Sequence, residues 1–207
     1  QEVERGVCLD ERFSPFVNNE RVFPTSIKYL EAGCGFGGSC FPKDIKALHA
    51  FGEKQNLNMQ MLNSVININK AQPQQIISIL KNKVLNYKNK KNILILGAAF
   101  KSNTDDIRES ATIPVIEMLL EMKFKISLYD PVAGKNMHKL FKEKIFLEDS
   151  LASSIQTNDI VILMTMWDEF FDLPNIINKI KPDIDLIDGR RQIGKNSVKN
   201  YFGIGLG

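Results

Sequence analysis

The sequence is poor in the residues that mark several common protein classes. Its three cysteines, at positions 8, 34 and 40, are an odd number without metal-ligand spacing, which argues against a disulfide framework and against zinc. No apolar run approaches the roughly 20 residues of a membrane span, and no secretory signal opens the chain. We therefore expect reduced thiols, no metal, no membrane association and a cytoplasmic location.

An excess of charge of one sign is also missing. The chain has 27 Lys and Arg against 24 Asp and Glu, a formal net charge of +3 at pH 7, and its lysines are scattered. This balance argues against a nucleic-acid partner. With 207 residues, of which 43% are hydrophobic, the chain is long enough to bury a proper core.

The feature that stands out is a glycine-rich segment, GCGFGGSCFPKD, from Gly33 to Asp44. Four glycines in six residues suit a backbone that bends sharply and admits a ligand, because each raises the cost of ordering the chain by about 0.5–1 kcal/mol relative to Ala. Pro42 suits the first position of a helix, so Cys40 is predicted at a helix entrance, where negative charge is favoured. The pattern indicates a nucleophilic thiol at Cys40, assisted by Lys43, with Asp44 as an acid–base or water-orienting group.

Each of these assignments has a structural alternative. Cys40 could be a buried structural thiol, although its glycine-rich approach and helix entrance argue against that. An acid such as Asp44 is common in a first helical turn for helix-dipole reasons alone. Cys34 is interpreted as a tolerated small side chain within the loop, and Cys8 as a small core residue.

Further motifs follow the loop along the chain. They are LGAAFK at 96–101, TDDIRES at 104–110, YDP at 129–131, WDEF at 167–170 and DGRR at 188–191. In this order, and together with the cysteine loop, they resemble the UDP-glucose/GDP-mannose dehydrogenase family. The loop is close to the form found in the UDP-glucose branch of that family.

The resemblance implies an enzyme that oxidises UDP-glucose to UDP-glucuronate by two hydride transfers to NAD, through a thiohemiacetal and a thioester on Cys40. Oxidation of GDP-mannose or of a UDP-N-acetylhexosamine is an alternative within the family. An alternative of another class is a non-catalytic module for nucleotide-sugar binding and dimerisation. A homodimer is also implied.

The cofactor fingerprint of such an enzyme is missing, because no Gly-x-Gly-x-x-Gly follows a predicted strand. We therefore expect the chain to be the C-terminal part of a longer enzyme, with NAD bound mainly by an absent N-terminal domain. On this interpretation the chain alone is inactive.

The resemblance also assigns roles to individual residues, with Cys40 and Asp44 as the catalytic pair. Contacts to the UDP-sugar are implied for Arg12, Glu31, Ala32, Gly33, Cys34, Gly35, Phe36, Gly37, Phe100, Lys101 and Arg190. Contacts to NAD are implied for Cys40, Phe41, Pro42, Lys43 and Arg108. Arg12 would reach the neighbouring subunit's site, and Arg21 competes for that role because residues from about Pro15 to Ile27 resemble an insertion. Trp167 is interpreted as a packing residue.

Hydrophobic periodicity predicts an α/β fold in which a helical linker region is followed by a doubly wound, Rossmann-like parallel sheet. Residues 1–90 would hold the catalytic cysteine loop and the central helices, and residues 91–207 the C-terminal UDP-sugar-binding α/β domain. The predicted helices are Gln1–Asp10, Pro42–Gln55, Asn58–Tyr87 (kinked or split at Pro73), Ser110–Met122, Ala133–Phe141, Ser150–Ile155 and Pro174–Ile180. The predicted strands are Ile93–Leu96, Lys125–Tyr129, Lys144–Leu147, Ile160–Met164 and Asp185–Ile187. Ligands are expected beyond the carboxyl ends of these strands, where the later motifs lie.

Overall fold

A computed structural model of the chain describes residues 2–24, 27, 30–84 and 86–206. Gln1 and Leu85, which belong to two predicted helices, and Gly207, at the end of the predicted second domain, lie outside the described residues. Within those ranges, no helix is both long enough and apolar enough to cross a membrane.

The first part of the chain consists of helices, one hairpin and the irregular glycine-rich segment. Its elements are α1 (Glu2–Val7), β1 (Phe16–Val17), β2 (Glu20–Arg21), α2 (Phe41–Lys54), α3 (Gln60–Ala71) and α4 (Gln74–Lys83). The hairpin of β1 and β2 is antiparallel and lies in the segment predicted as an insertion. The break between α3 and α4 falls at Pro73, as predicted, because proline lacks the N–H that would continue the helical ladder.

The second part is a parallel sheet with helices between its strands. Its strands are β3 (Asn92–Leu96), β4 (Lys125–Tyr129), β5 (Ile145–Leu147), β6 (Ile160–Leu163), β7 (Asp185–Asp188) and β8 (Asn200–Gly203), and its helices are α5 (Thr112–Glu121), α6 (Gly134–Phe141), α7 (Leu151–Thr157) and α8 (Leu173–Ile180). The strand order is β5-β4-β3-β6-β7-β8, and every neighbouring pair is parallel. This is the order of a doubly wound Rossmann sheet, which confirms the predicted α/β class.

The core lies around the middle strands. Residues 93–96 of β3 and all of β6 are buried on both faces, which explains why each is a continuous apolar run without alternation. From the helical part, α4 contributes Ile76 and Leu80, both fully buried in the same cluster. The helical region is therefore packed directly against the sheet.

Three strands were not predicted, and several predicted bounds were wrong by one to four residues, the largest error being the helical region predicted to end at Tyr87, which ends at Lys83. The hairpin strands have only two residues each, and β8 is a short edge strand that begins with Asn200. Strands this short contain too few residues for an alternation of polar and apolar side chains to be recognised in the sequence. The first helix ends at Val7, three residues before the predicted Asp10.

Cys34, in the glycine-rich segment, also belongs to this core. Its side chain is fully buried, and its thiol donates to the Gly189 carbonyl at 3.3 Å. Burial raises the pKa of Cys34 from its ordinary value of 9.0 to about 12; the charge of Arg190 lowers it and that of Asp188 raises it further. Cys34 is therefore a protonated packing residue, in line with its interpretation as a small structural side chain.

The core assignment predicts the effect of truncating Leu94, which is fully buried in β3. Leu94→Ala removes buried methyl groups and leaves a cavity, so we expect the free energy of unfolding to fall by about 2–5 kcal/mol in a urea titration. The matched variant Leu140→Ala, at a position that is 53% exposed on α6, should change it by no more than about 0.5 kcal/mol. Equal losses in the two variants would contradict the assignment.

The raised pKa of Cys34 predicts a dependence of stability on alkaline pH. Below pH 9 both the folded and unfolded states hold the thiol proton, whereas between pH 9 and about 12 only the unfolded state releases it. The wild type should therefore lose about 1 kcal/mol more stability than Cys34→Ala between pH 8 and pH 10, measured by urea unfolding at each pH. Parallel curves for the two proteins would rule this out.

Candidate functional site

The segment Glu31–Cys40, here named the cysteine loop, lies against the carboxyl ends of the sheet. The Gly38 N–H donates to the Arg108 carbonyl at 2.9 Å. The Cys34 thiol reaches the turn after β7, and the Gln192 amide of that turn donates to the Glu31 carboxylate at 3.0 Å. The loop is therefore attached to two segments that follow strand ends.

The opposite side of the loop is held by α3. The Asn69 side chain accepts from the Phe36 N–H at 2.8 Å and donates to the Phe36 carbonyl at 3.0 Å, so it pairs with both backbone groups of that residue. The Gln72 amide donates to the Gly33 carbonyl at 3.3 Å. Sequence reasoning missed both Asn69, in the last turn of α3, and Gln72, directly after it, because an amide at the end of a helix carries no motif.

Two glycines of the loop are required by close approach. A Cβ at Gly37 would overlap the Glu109 carbonyl oxygen, and one at Gly38 would lie 2.7 Å from the Phe100 ring. Gly38 also has a φ of +87°, which a residue with a Cβ adopts only with strain. The glycines therefore bring the loop backbone into contact with the segments that follow β3.

Cys40 immediately precedes α2, so the predicted helix entrance is confirmed. Pro42 occupies the second position of the helix, one later than predicted, because α2 begins at Phe41. The Cys40 carbonyl accepts from the Asp44 N–H at 2.8 Å, and the Cys40 side chain is exposed. The Ser39 hydroxyl lies 3.7 Å from the thiol sulfur, and Lys43 is 3.3 Å from the Asp44 carboxylate.

Arg108 is the cation beside this thiol. Its Nε and Nη2 donate to the two oxygens of Asp106 at 2.9 and 2.7 Å. Hydrogen bonding to Asp106 raises the pKa of Arg108, and the charge of Cys40 makes a smaller contribution of the same sign. The same pair lowers the pKa of Asp106. Although it is paired with Asp106, the Arg108 side chain remains 69% exposed.

The Arg190 side chain lies where the order of strands in the sheet reverses, at the ends of β3 and β6. Its Nε donates to the Met164 carbonyl at 2.6 Å and its Nη2 to the Phe100 carbonyl at 3.1 Å. Exposed Lys101 places its ammonium 5.6 Å from the centre of the Phe100 ring. Phe100 and Lys101, from the LGAAFK motif, and Arg190, from the DGRR motif, are therefore close together at the strand ends.

Two buried carboxylates organise these turns, and neither received a role from the sequence. Asp188, at the end of β7, accepts the N–H groups of Arg190 and Arg191, each at 2.8 Å. Asp130 accepts the Ala98 N–H at 2.6 Å and the Trp167 indole N–H at 3.0 Å. In the sequence, both are marked only by their position at the end of a predicted strand, Asp130 in the YDP motif and Asp188 in the DGRR motif.

Trp167 is nearly fully buried, which agrees with its interpretation as a packing residue. Its bond to Asp130 joins the segment after β6 to the turns after β3 and β4, because Asp130 also accepts N–H groups from Val132 and Ala133.

Arg12 and Arg21, the two candidates for the inter-subunit role, differ in exposure and in hydrogen bonding. Arg21 donates to the Ser14 hydroxyl at 2.9 Å and to the Leu9 carbonyl at 2.6 Å, and so fastens the hairpin to the turn after α1. Arg12 is paired with Asp10, two residues away, and its side chain is 84% exposed. Arg12 is the cation directed toward solvent, whereas Arg21 is part of the local packing.

Comparison with known proteins gives two family matches. The central domain of the UDP-glucose/GDP-mannose dehydrogenase family matches residues 1–71, and the UDP binding domain of the same family matches residues 94–195. The two matches fall in the helical part and in the sheet, respectively.

Individual relatives agree with these matches. UDP-glucose 6-dehydrogenase AglM of Haloferax volcanii is 36% identical over 173 residues, which cover 84% of this chain and 39% of that protein. UDP-glucose 6-dehydrogenase of Rickettsia conorii is 32% identical over 212 residues, covering 99% and 46%. A solved UDP-glucose dehydrogenase from Pyrobaculum islandicum superposes with a TM-score of 0.78 at 27% identity, covering 100% of this chain and 43% of that one.

The chain thus spans less than half the length of these relatives. Over that span the order of motifs, the two domain matches and the superposed fold agree. The chain therefore belongs to the UDP-glucose/GDP-mannose dehydrogenase family.

Proposed function

We propose that this chain supplies the reactive cysteine and the nucleotide-sugar site of an NAD-dependent dehydrogenase that oxidises UDP-glucose to UDP-glucuronate. The observation that carries this proposal is the docking of the cysteine loop on the strand ends that hold Arg190. That contact holds the segment that carries the exposed Cys40 thiol against the strand ends where the Arg190 guanidinium lies. The names of the relatives support the same reaction.

The nucleotide sugar would bind where the loop meets the sheet. We propose that the loop backbone from Glu31 to Gly37, together with Phe100, Lys101 and Arg190, forms this site. A diphosphate needs fixed cations, and Arg190 is fixed by its bonds to two strand ends. On this proposal, residues 1–90 supply the reactive cysteine and its loop, and residues 91–207 supply the UDP-sugar-binding domain.

Cys40 would act once the sugar alcohol has been oxidised to the aldehyde. The sulfur attacks the aldehyde carbon, the thiol proton passes to the carbonyl oxygen, and a thiohemiacetal forms. Loss of a hydride and of the hydroxyl proton gives a thioester. Water then breaks the C–S bond, releasing the carboxylate and the free thiol, with Asp44 one helical turn away to orient that water or take its proton.

The described residues fit one edge of a nicotinamide cofactor but not the whole of it. Residues 97–111, all described, separate β3 from α5, so the strand does not lead directly into a helix N-terminus that could hold a pyrophosphate. The residues that would face the cofactor are Cys40, Phe41, Pro42, Lys43 and Arg108. Each NAD molecule, when bound, would accept one hydride, so two NAD molecules in turn would take up the two hydrides that the alcohol and the thiohemiacetal lose. We propose that a domain outside this chain supplies most of its site, and that this chain alone is inactive.

We propose that the working enzyme is a homodimer in which Arg12 reaches the neighbouring subunit's nucleotide-sugar site. The exposure of Arg12 supports this role, and the three local hydrogen bonds of Arg21 argue against Arg21 as the alternative.

The nucleotide-sugar site is tested by calorimetric titration of the complete protein with UDP, UDP-glucose and GDP-mannose. We expect binding of the two uridine ligands, weakened about tenfold or more by Arg190→Ala and by Lys101→Ala, because each removes a cation from the diphosphate. The exposed Lys139, on α6, provides a charge-matched control whose alanine variant should bind normally. Tighter binding of GDP-mannose than of UDP-glucose would contradict UDP-glucose as the substrate. Normal UDP binding by a complete protein that does not reduce NAD would instead favour the non-catalytic nucleotide-sugar-binding module.

The role of Arg12 is tested by mixing inactive subunits. Arg12→Ala and Cys40→Ala should each abolish most activity alone, whereas co-refolded mixtures should regain it, because a hybrid dimer holds one site with both residues intact. No recovery in the mixture would exclude a contribution from the neighbouring subunit. Arg21→Ala should instead lower the free energy of unfolding by about 1–3 kcal/mol, since it breaks the bonds to Ser14 and Leu9.

A further inference from the structure

The Asp188 carboxylate is the most completely enclosed charged group near the proposed site. It is fully buried at the carboxyl end of β7. One oxygen accepts the N–H groups of Arg190 and Arg191, each at 2.8 Å, and the other accepts the Ile193 N–H at 2.9 Å and the Tyr201 hydroxyl at 3.0 Å. A carboxylate held by four donors has a single orientation, and it fixes the groups that donate to it.

Three of these donors belong to the backbone of one turn, residues 189–193. The turn is strained, because Arg191 has a φ of +56°. Asp188 therefore holds in place a backbone conformation that the chain would otherwise leave. The conformation of this turn determines the direction of the Arg190 side chain, which donates to the Met164 and Phe100 carbonyls.

The fourth donor comes from a different element. Tyr201 lies on β8, the edge strand, which pairs with β7 so that Asp188 is opposite Gly203. The Ile204 N–H donates to the Asp188 carbonyl at 3.0 Å, so the backbone of the edge strand fixes the distance from the phenol to the carboxylate. Burial raises the pKa of Tyr201, and the negative charge of Asp188 raises it further, so the phenol keeps the proton that it donates.

We propose that Asp188 and Tyr201 are positioning residues for the nucleotide-sugar site, acting through Arg190. Asp188 sets the turn that aims the guanidinium across the ends of β3 and β6, and Tyr201 keeps the Asp188 carboxylate in the orientation that the turn requires. Neither residue needs to touch the ligand. This inference rests on the proposed function, because it assumes that Arg190 binds the nucleotide sugar.

The test uses Tyr201→Phe in the complete protein, since this variant removes one hydroxyl and keeps the ring. We expect the KM for UDP-glucose and the dissociation constant for UDP to rise by about threefold to tenfold, with kcat unchanged within about twofold. Tyr129→Phe is the matched control, because its hydroxyl also bonds a carboxylate, that of Glu169 at 3.1 Å instead of that of Asp188. The control should bind UDP normally.

A double-mutant cycle separates positioning from general loosening of the fold. In the Arg190→Ala background, Tyr201→Phe should have no further effect on UDP affinity, because the residue through which it acts is missing. Asp188→Asn should follow the same pattern with a larger effect, provided that its thermal unfolding still shows a folded protein.

The possible outcomes are distinguishable. If Arg190→Ala weakens UDP binding but Tyr201→Phe does not, the positioning inference is wrong and the proposed site stands. If the two effects on affinity add in the double variant, Tyr201 acts independently of Arg190 and the inference is also wrong. If Arg190→Ala itself leaves UDP affinity unchanged, the proposed site fails, and the inference fails with it.

Discussion

Docking of the cysteine loop on the segments that follow β3 and β7 is the contact on which the rest of the site depends. The loop has few apolar side chains to bury, so it is held by directed bonds: Asn69 on one side, and the carbonyls of Arg108 and Gly189 on the other. Glycines bring its backbone close enough for those bonds to form. This attachment brings Cys40, from the helical part of the chain, to the end of the sheet at which Arg190 lies.

The order of strands reverses between β3 and β6, and the residues at this position differ from those of a dinucleotide-binding domain. There, a glycine turn and a helix N-terminus leave the crevice open for a pyrophosphate. Here Arg190 crosses the same position and binds both strand ends, while Asp130 and Asp188 replace helix dipoles as organisers of the turns. One strand order thus presents backbone N–H groups at this position in a dinucleotide-binding domain and a fixed guanidinium in this chain.

Much of this could be predicted from the sequence, because the relevant patterns are local. The apolar runs of β3 and β6, the proline break after α3 and the helix entrance at Cys40 all follow from rules that act over a few residues. The contacts of Asn69, Gln72 and Tyr201 could not be predicted in this way, since each depends on how distant elements pack. The strand β8 was missed for the same reason, because pairing with β7, and not its own periodicity, makes it a strand.

If the proposed function holds, the Cys40 thiol lies within reach of a sugar whose nucleotide is bound at the strand ends. The most direct test is the rate at which iodoacetamide alkylates Cys40 in the complete protein, followed by mass spectrometry of the Cys40 peptide. Saturating UDP-glucose should slow this alkylation, with half-protection at its dissociation constant. An unchanged rate at saturating UDP-glucose would contradict the account, because the thiol would then lie outside the substrate site.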